Sequence, residues 1–187
     1  MNKLFTIVLL FIINTTFSQT SGIVISQFYP SSGATGSSYN GDFIELHNNS
    51  STPKSLNNCS IQIENGFTTS SWKKIKLPNF LLNPGRYYLI KVNSTSVGAS
   101  FQADLTSATS ISMLSTRGRL VLLNDTNTIT TSCPNLTKVL DFVCYGDNVN
   151  SSTICNDLGP LTEVTFTNTK AAFRVNNGCF DSDNSLA

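Results

Sequence analysis

The sequence predicts an all-β fold, an antiparallel sandwich or barrel, on three observations. Short runs rich in β-branched and aromatic residues are separated by clusters of Gly, Pro, Asn and Ser. Several of those runs alternate apolar and polar side chains with a period of two. No window of about 11 residues or more carries the i, i+3, i+4, i+7 apolar spacing of an amphipathic helix. Many short strands with frequent turns are the pattern of an antiparallel sandwich or barrel.

The first run, residues 23–28, stops at Pro30-Ser31-Ser32-Gly33. A Gly- and Ser-rich loop to Gly41 leads into Asp42-Phe43-Ile44-Glu45-Leu46-His47, which ends in the turn cluster 48–53. Cys59, Ile61 and Ile63 alternate with Ser60, Gln62 and Glu64, the clearest pattern of a half-buried strand in the chain. Over 72–77, Ile75 and Leu77 share one face, and Trp72, Lys74 and Lys76 the other. The turn Asn83-Pro84-Gly85 precedes a strand over 86–92. Further strands are predicted at 110–114, 120–123, 139–145 and 171–175.

The N-terminus has the form of an export signal. Lys3 supplies a positive start, residues 4–13 an apolar run broken only by Thr6, and Thr16-Phe17-Ser18 a small-residue cleavage context. Ten residues are too few to span a bilayer, which takes about 20. The expected organisation is a signal peptide over 1–18 and one β-sandwich domain over 19–187, secreted to the cell exterior with no membrane span in the mature chain. Without Lys3 the 12 basic residues fall to 11, equal to the 11 acidic ones. A neutral chain argues against nucleic acid as a partner, because that affinity comes largely from Lys and Arg at phosphates. Lys73, Lys74 and Lys76 form the one basic cluster and read as a solvated strand face.

An exported chain meets an oxidising compartment, so its five cysteines suggest disulfides with at least one thiol left over. Asn-x-Ser/Thr sequons stand at Asn48, Asn49, Asn58, Asn93, Asn124, Asn135 and Asn150, acceptors for glycans in a eukaryotic host.

Four blocks in order carry a family likeness. The first pairs Ile23-Val24-Ile25-Ser26-Gln27-Phe28-Tyr29 with Asp42-Phe43-Ile44-Glu45-Leu46-His47-Asn48. The second is Leu82-Asn83-Pro84-Gly85-Arg86-Tyr87-Tyr88-Leu89. The third joins Ile111-Ser112-Met113 to Gly118-Arg119-Leu120-Val121-Leu122-Leu123-Asn124. The fourth is Val139-Leu140-Asp141-Phe142-Val143-Cys144-Tyr145-Gly146, followed by a stretch from Arg174 to Asn184. Together they resemble the lamin tail domain in its secreted form, across essentially the whole mature chain. The resemblance implies an immunoglobulin-like antiparallel β-sandwich, non-catalytic, that often accompanies nucleases, phosphatases or adhesive regions. The chain departs from the family pattern at Cys144, where Gly is usual, at Cys59, and in lacking a terminal Asp-Phe pair.

Those departures motivate a disulfide expectation. Counted by strand parity, Cys59 goes with Ile61 and Ile63, and Cys144 with Leu140 and Phe142, so both are expected in the core as a bridged pair. The alternative is two buried free thiols. A Cys155–Cys179 pair would then leave Cys133 odd.

Little in the chain points to chemistry. His47 is the only histidine, and no Gly-x-Ser-x-Gly elbow is present. Asp42 and Glu45 near His47 suggest an acid/base group, but Glu45 and His47 also simply share one strand face, with Ile44 and Leu46 on the other. Asp181-Ser182-Asp183-Asn184 resembles half a calcium loop without its Gly turn or distal Glu and reads as a polar turn. No Cys-x-x-Cys pair is present, which disfavours zinc. Trp72 and Tyr87-Tyr88 suggest a sugar-stacking face, or strand packing. The expected function is therefore a secreted, non-enzymatic module without cofactor that binds or displays, its partner an extracellular protein or glycan. The alternatives are a structural coat or matrix glycoprotein, and an accessory domain of a longer secreted hydrolase.

Overall fold

The structure, a computed structural model, describes residues 22–65, 71–146 and 166–175. Among them are eleven strands and, as the only helical element, a 3-10 turn at Leu136–Lys138. The strands are β1 (Ile23–Tyr29), β2 (Phe43–Asn48), β3 (Lys54–Ser55), β4 (Ser60–Glu64), β5 (Lys73–Lys76), β6 (Leu81–Leu82), β7 (Tyr87–Lys91), β8 (Leu105–Thr106), β9 (Arg117–Leu123), β10 (Val139–Gly146) and β11 (Ala172–Phe173). They form a five-stranded sheet, β11-β1-β2-β7-β8, a four-stranded sheet, β10-β9-β4-β5, and a small β3-β6 ladder. All pairings are antiparallel except β7 with β8.

Alternation builds the core between the two larger sheets. Ile23, Ile25, Ile44, Leu46, Tyr88 and Ile90 point inward from the five-stranded sheet. Ile61, Ile63, Ile75, Leu120, Leu122 and Tyr145 meet them from the other. Truncating Ile44 or Leu122, both fully buried, would cost about 2–5 kcal/mol through lost transfer energy and a cavity. The Lys73, Lys74 and Lys76 cluster lies on β5, an edge strand, where lysines discourage pairing with another chain.

The expectation of a half-buried β4 is corrected. Ser60, Gln62 and Glu64 point away from the core, yet they are only 0%, 0% and 1% exposed. A strap formed by residues 124–135 crosses this outer face. Ser60 Oγ donates to Asp125 O (2.6 Å), and Gln62 Nε2 donates to Asn127 O (2.7 Å) while Gln62 Oε1 accepts from Ile129 N (2.9 Å). Trp72 Nε1 donates to Thr131 O (3.1 Å). Beneath the strap Trp72, Val121, Leu123, Phe142 and Cys144 form a second apolar cluster. The Arg119–Glu64 ion pair (3.0 Å) is buried with them, its guanidinium 4.9 Å from the Trp72 ring centre. These polar side chains are tolerated in the layer because each makes at least one hydrogen bond or ion-pair contact there.

Two bulges close the sandwich. The β1–β2 register shifts between Ile25 and Gln27, and the β10–β9 register between Val139 and Asp141. Asp141 Oδ2 accepts from the Ile25 backbone N–H (2.5 Å) across the gap between the sheets. Arg174, just beyond β11, donates to both Asp141 oxygens (3.1 and 2.9 Å) and through Nε to Ile25 O (3.1 Å).

The Cys59–Cys144 bridge is also corrected: both are free, buried thiols. Both belong to the same sheet region, on opposite faces, Cys59 in the main core and Cys144 under the strap. The β10 bulge is the reason. Leu140 packs on the main core, but past the bulge Phe142 and Cys144 face the strap, while Val143 and Tyr145 face the core. A parity count carried through a bulge flips face. Cys133 is disulfide-bonded, which overturns its expected odd status. Cys155 and Cys179 lie outside the described residues. The 110–114 strand is absent too. Ile111 N donates to Val92 O (3.2 Å) and Met113 N to the Asp42 carboxylate (2.9 Å), so the backbone is anchored to a loop rather than a ladder.

Burial raises the Cys59 thiol pKa and pushes that of Cys144 up to about 12, so neither forms a ready thiolate. Iodoacetamide on the native protein is expected to spare both, and unfolding without reductant should expose both to alkylation. A non-reduced peptide joining Cys59 to Cys144 would contradict the arrangement.

Candidate binding face

The residues that suggested acid/base chemistry are held apart. Asp42 precedes β2 and His47 lies five positions later, about 17 Å along an extended strand. Asp42 is a buried structural acceptor, taking hydrogen bonds from Ser32 N (2.8 Å), Met113 N (2.9 Å) and Asn93 Nδ2 (2.8 Å). Asn93 Oδ1 in turn accepts from Asp42 N (2.6 Å) and Ser32 Oγ (3.1 Å). This knot ties three loops to one carboxylate. Gly41 beside it has no room for a side chain, since a Cβ would come 2.4 Å from Asn93 O.

His47 and Glu45 instead share the outer face of the five-stranded sheet. Cross-strand register arranges that face in rows: Val24, His47 and Tyr87; then Gln27, Glu45 and Leu89; then Tyr29, Phe43 and Lys91. His47 is buried beneath the Tyr87 ring, the two stacked at 4.3 Å and 17°. Glu45 Oε1 accepts from Ser26 Oγ (2.7 Å). In the last row Tyr29, Phe43, Tyr39 and Phe101 form a knot of ring contacts at 5.6–5.8 Å. Lys91 Nζ sits against it, 4.7 Å from the Phe101 ring centre and 2.8 Å from Asn40 Oδ1. Composition alone did not mark Tyr39, Phe43 and Phe101, because loops far apart in sequence bring them together.

Of the sugar-stacking candidates only Tyr87 presents a surface; Trp72 and Tyr88 are buried. Among the sequons, Asn48 and Asn93 are buried and donate their amides, Asn48 Nδ2 to Thr52 O (2.9 Å) and Leu82 O (2.8 Å). The Asn49 amide is closed off as well. A glycan on any of these three has no room in the fold, so they are withdrawn as acceptors, whereas Asn58, Asn124 and Asn135 are exposed. Asn150, Cys155, Cys179, Asp181, Asp183 and Asn184 lie outside the described residues. Among the described residues no group of three His, Cys, Asp or Glu is placed to hold a metal ion, and no helix is long and apolar enough to cross a membrane.

Desolvation holds the Asp42 carboxyl above the ordinary value of 3.8, and the hydrogen bonds from Met113, Ser32 and Asn93 offset only part of that. An acid that binds its proton more tightly when folded adds stability below the unfolded pKa and loses it as pH rises through the folded one. Subtracting the unfolding free energy of Asp42→Asn from that of the wild type should therefore leave a difference that declines as pH rises above the ordinary carboxyl value of 3.8. A flat difference in chemical-denaturation titrations would contradict the buried carboxyl.

Residues 16–135 match the Lamin Tail Domain family. A crystal structure of a DUF4876 family protein from Bacteroides thetaiotaomicron is similar at 17% identity and a TM-score of 0.53, over 80% of this chain. The chain spans 61% of that protein's length, and the likeness is one of fold. No curated protein matches the chain. The family stretch holds β1 to β9, while β10 and β11, beyond residue 135, complete both sheets. With more than half of its length matched, and with a two-sheet sandwich of immunoglobulin type, the chain belongs to the lamin tail domain family.

Proposed function

We propose that this lamin tail domain is an exported, non-catalytic module that binds or displays at the cell exterior. The observation that carries the reading is the use of its polar side chains. Asp42, Asn93, Asp141, Gln62 and Asn48 are each committed to holding loops or sheets together. Half-exposed polar and aromatic groups gather instead on the outer face of the five-stranded sheet, around Glu45 and Tyr87. A rigid sheet with side chains displayed in rows suits recognition better than turnover, which needs acids, bases and electrophiles converging on one point. The signal-like residues 1–18 and the bridged Cys133 support an oxidising, exported setting. The accessory-domain reading draws support from the DUF4876 protein, in which a similar fold belongs to a longer chain.

Expression of the full chain in a secreting host is expected to yield soluble protein beginning at Gln19. That protein should hydrolyse neither nucleic acid nor phosphate monoesters with Mg²⁺ or Ca²⁺ added. Recovery of an intact Met1 terminus in the membrane fraction would overturn export. A nuclease that purifies at constant specific activity and vanishes in Asp181→Asn/Asp183→Asn would overturn the non-catalytic reading.

A further inference from the structure

Asn-Gly dipeptides stand in the chain at Asn40, Asn65 and Asn177, and of these Asn40-Gly41 lies wholly within the described residues. Such a dipeptide is chemically weak. Glycine has no side chain to hinder its own backbone nitrogen from attacking the preceding side-chain carboxamide, the step that closes a succinimide ring.

The surroundings of Asn40 push in the same direction. Its Oδ1 accepts from Lys91 Nζ (2.8 Å), so a fixed cation stands on the oxygen that turns negative during attack. The lysine is only 9% exposed and its Nζ lies 4.7 Å from the Phe101 ring centre, where water screens its charge weakly. Its stem also runs past the attacking residue, since a Cβ on Gly41 would come 2.5 Å from Lys91 Cε. One side chain therefore spans both the carboxamide and the glycine. The peptide oxygen between them, Asn40 O, accepts from Thr95 N (2.9 Å), which makes the N–H of that peptide more acidic. That N–H, on Gly41, makes no hydrogen bond among the described residues, so none has to break before it reacts. Asn40 N is tied to Ala99 O (3.0 Å) and Asp42 N to Asn93 Oδ1, which holds the reacting atoms together. Asn40 itself is half-exposed, which admits water.

We propose that Asn40-Gly41 is a self-modifying site at which the folded chain converts the Asn40 carboxamide to a carboxylate, with Lys91 stabilising the oxyanion. Solvent hydroxide takes the Gly41 N–H proton, and the nitrogen's electron pair bonds to Asn40 Cγ while the carbonyl π pair moves onto Oδ1. Collapse re-forms the carbonyl and expels Nδ2, which leaves as ammonia after taking a proton from water. Water then adds at Cγ and breaks the new C–N bond, returning the nitrogen to its peptide and leaving a carboxylate at position 40. One water is consumed, one ammonia is released, and nothing is oxidised or reduced. The carboxylate inherits the Lys91 ammonium as its partner and adds one to the 11 acidic residues that balance the 11 basic ones over 19–187.

The test incubates the full mature chain in water enriched in heavy oxygen, folded and in guanidinium chloride, and maps its peptides at intervals by mass spectrometry. The folded protein should gain an acid carrying one heavy oxygen at position 40 about tenfold faster than the unfolded chain, in which Asn40, Asn65 and Asn177 should react alike. Lys91→Met, which keeps the stem and removes the cation, should slow the folded reaction about tenfold. The comparison of folded with unfolded wild type needs no variant, so it decides the matter even if Lys91→Met does not fold. No conversion at Asn40, conversion no faster than in guanidinium chloride, or a folded Lys91→Met chain that reacts at the wild-type rate would overturn the site.

Discussion

The carboxylate of Asp141 is the point at which the sandwich closes. A bulge in β1 turns the Ile25 N–H out of its ladder, and Asp141, thrown forward by the bulge in β10, accepts it at 2.5 Å. A carboxylate buried alone would be intolerable, so Arg174 supplies the countercharge and bonds both oxygens. The same guanidinium also donates to Ile25 O, and the Arg174 N–H donates to Ser26 O. One acid thus joins the first strand, the last long strand and the C-terminal edge of the described chain. Removing one partner of a buried pair costs about 3–5 kcal/mol, because it strands the other charge.

The rest of the architecture follows from fixing β1 in this way. β1 sets the register of β2, and β2 that of β7, so the rows on the outer face inherit their order from the bulged end of the first strand. On the opposite sheet the strap takes the outer face out of solvent. The outer face of the five-stranded sheet is itself buried at Val24, His47, Tyr29 and Phe43, and is half-exposed along the row of Gln27, Glu45 and Leu89.

Local pattern revealed most of the strands, because β-branched runs and turn clusters act over a few residues. The alternation through Ile61 and Ile63 named the correct core side of β4. It could not reveal that Ser60 and Gln62 are buried, since the covering carbonyls of Asp125 and Asn127 lie 65 residues on in both cases. Bulges have a similar effect. One extra residue near Val139 moved Cys144 to the other face, and no local signal marks it. The segment 110–114 reads as a strand because Ile111 and Met113 are spaced for burial, and buried they are. What their backbone lacks is a ladder, a fact decided by Asp42 some 70 positions earlier. The candidate face was half legible: Glu45, His47 and Tyr87 drew notice, but the stacking of His47 with Tyr87 and the knot around Phe101 depend on strand neighbours that pair only in the folded chain.

The most direct test of the closing interaction is a double-mutant cycle on Asp141→Ala and Arg174→Ala, read by denaturant unfolding of the wild type, both single variants and the double variant. If the pair clasps the sheets as described, the two losses should fall short of additive by about 1–3 kcal/mol, with either single change already carrying most of the cost. Losses that add to within about 0.5 kcal/mol would show that Asp141 and Arg174 act independently, and would contradict the account of how this sandwich is closed.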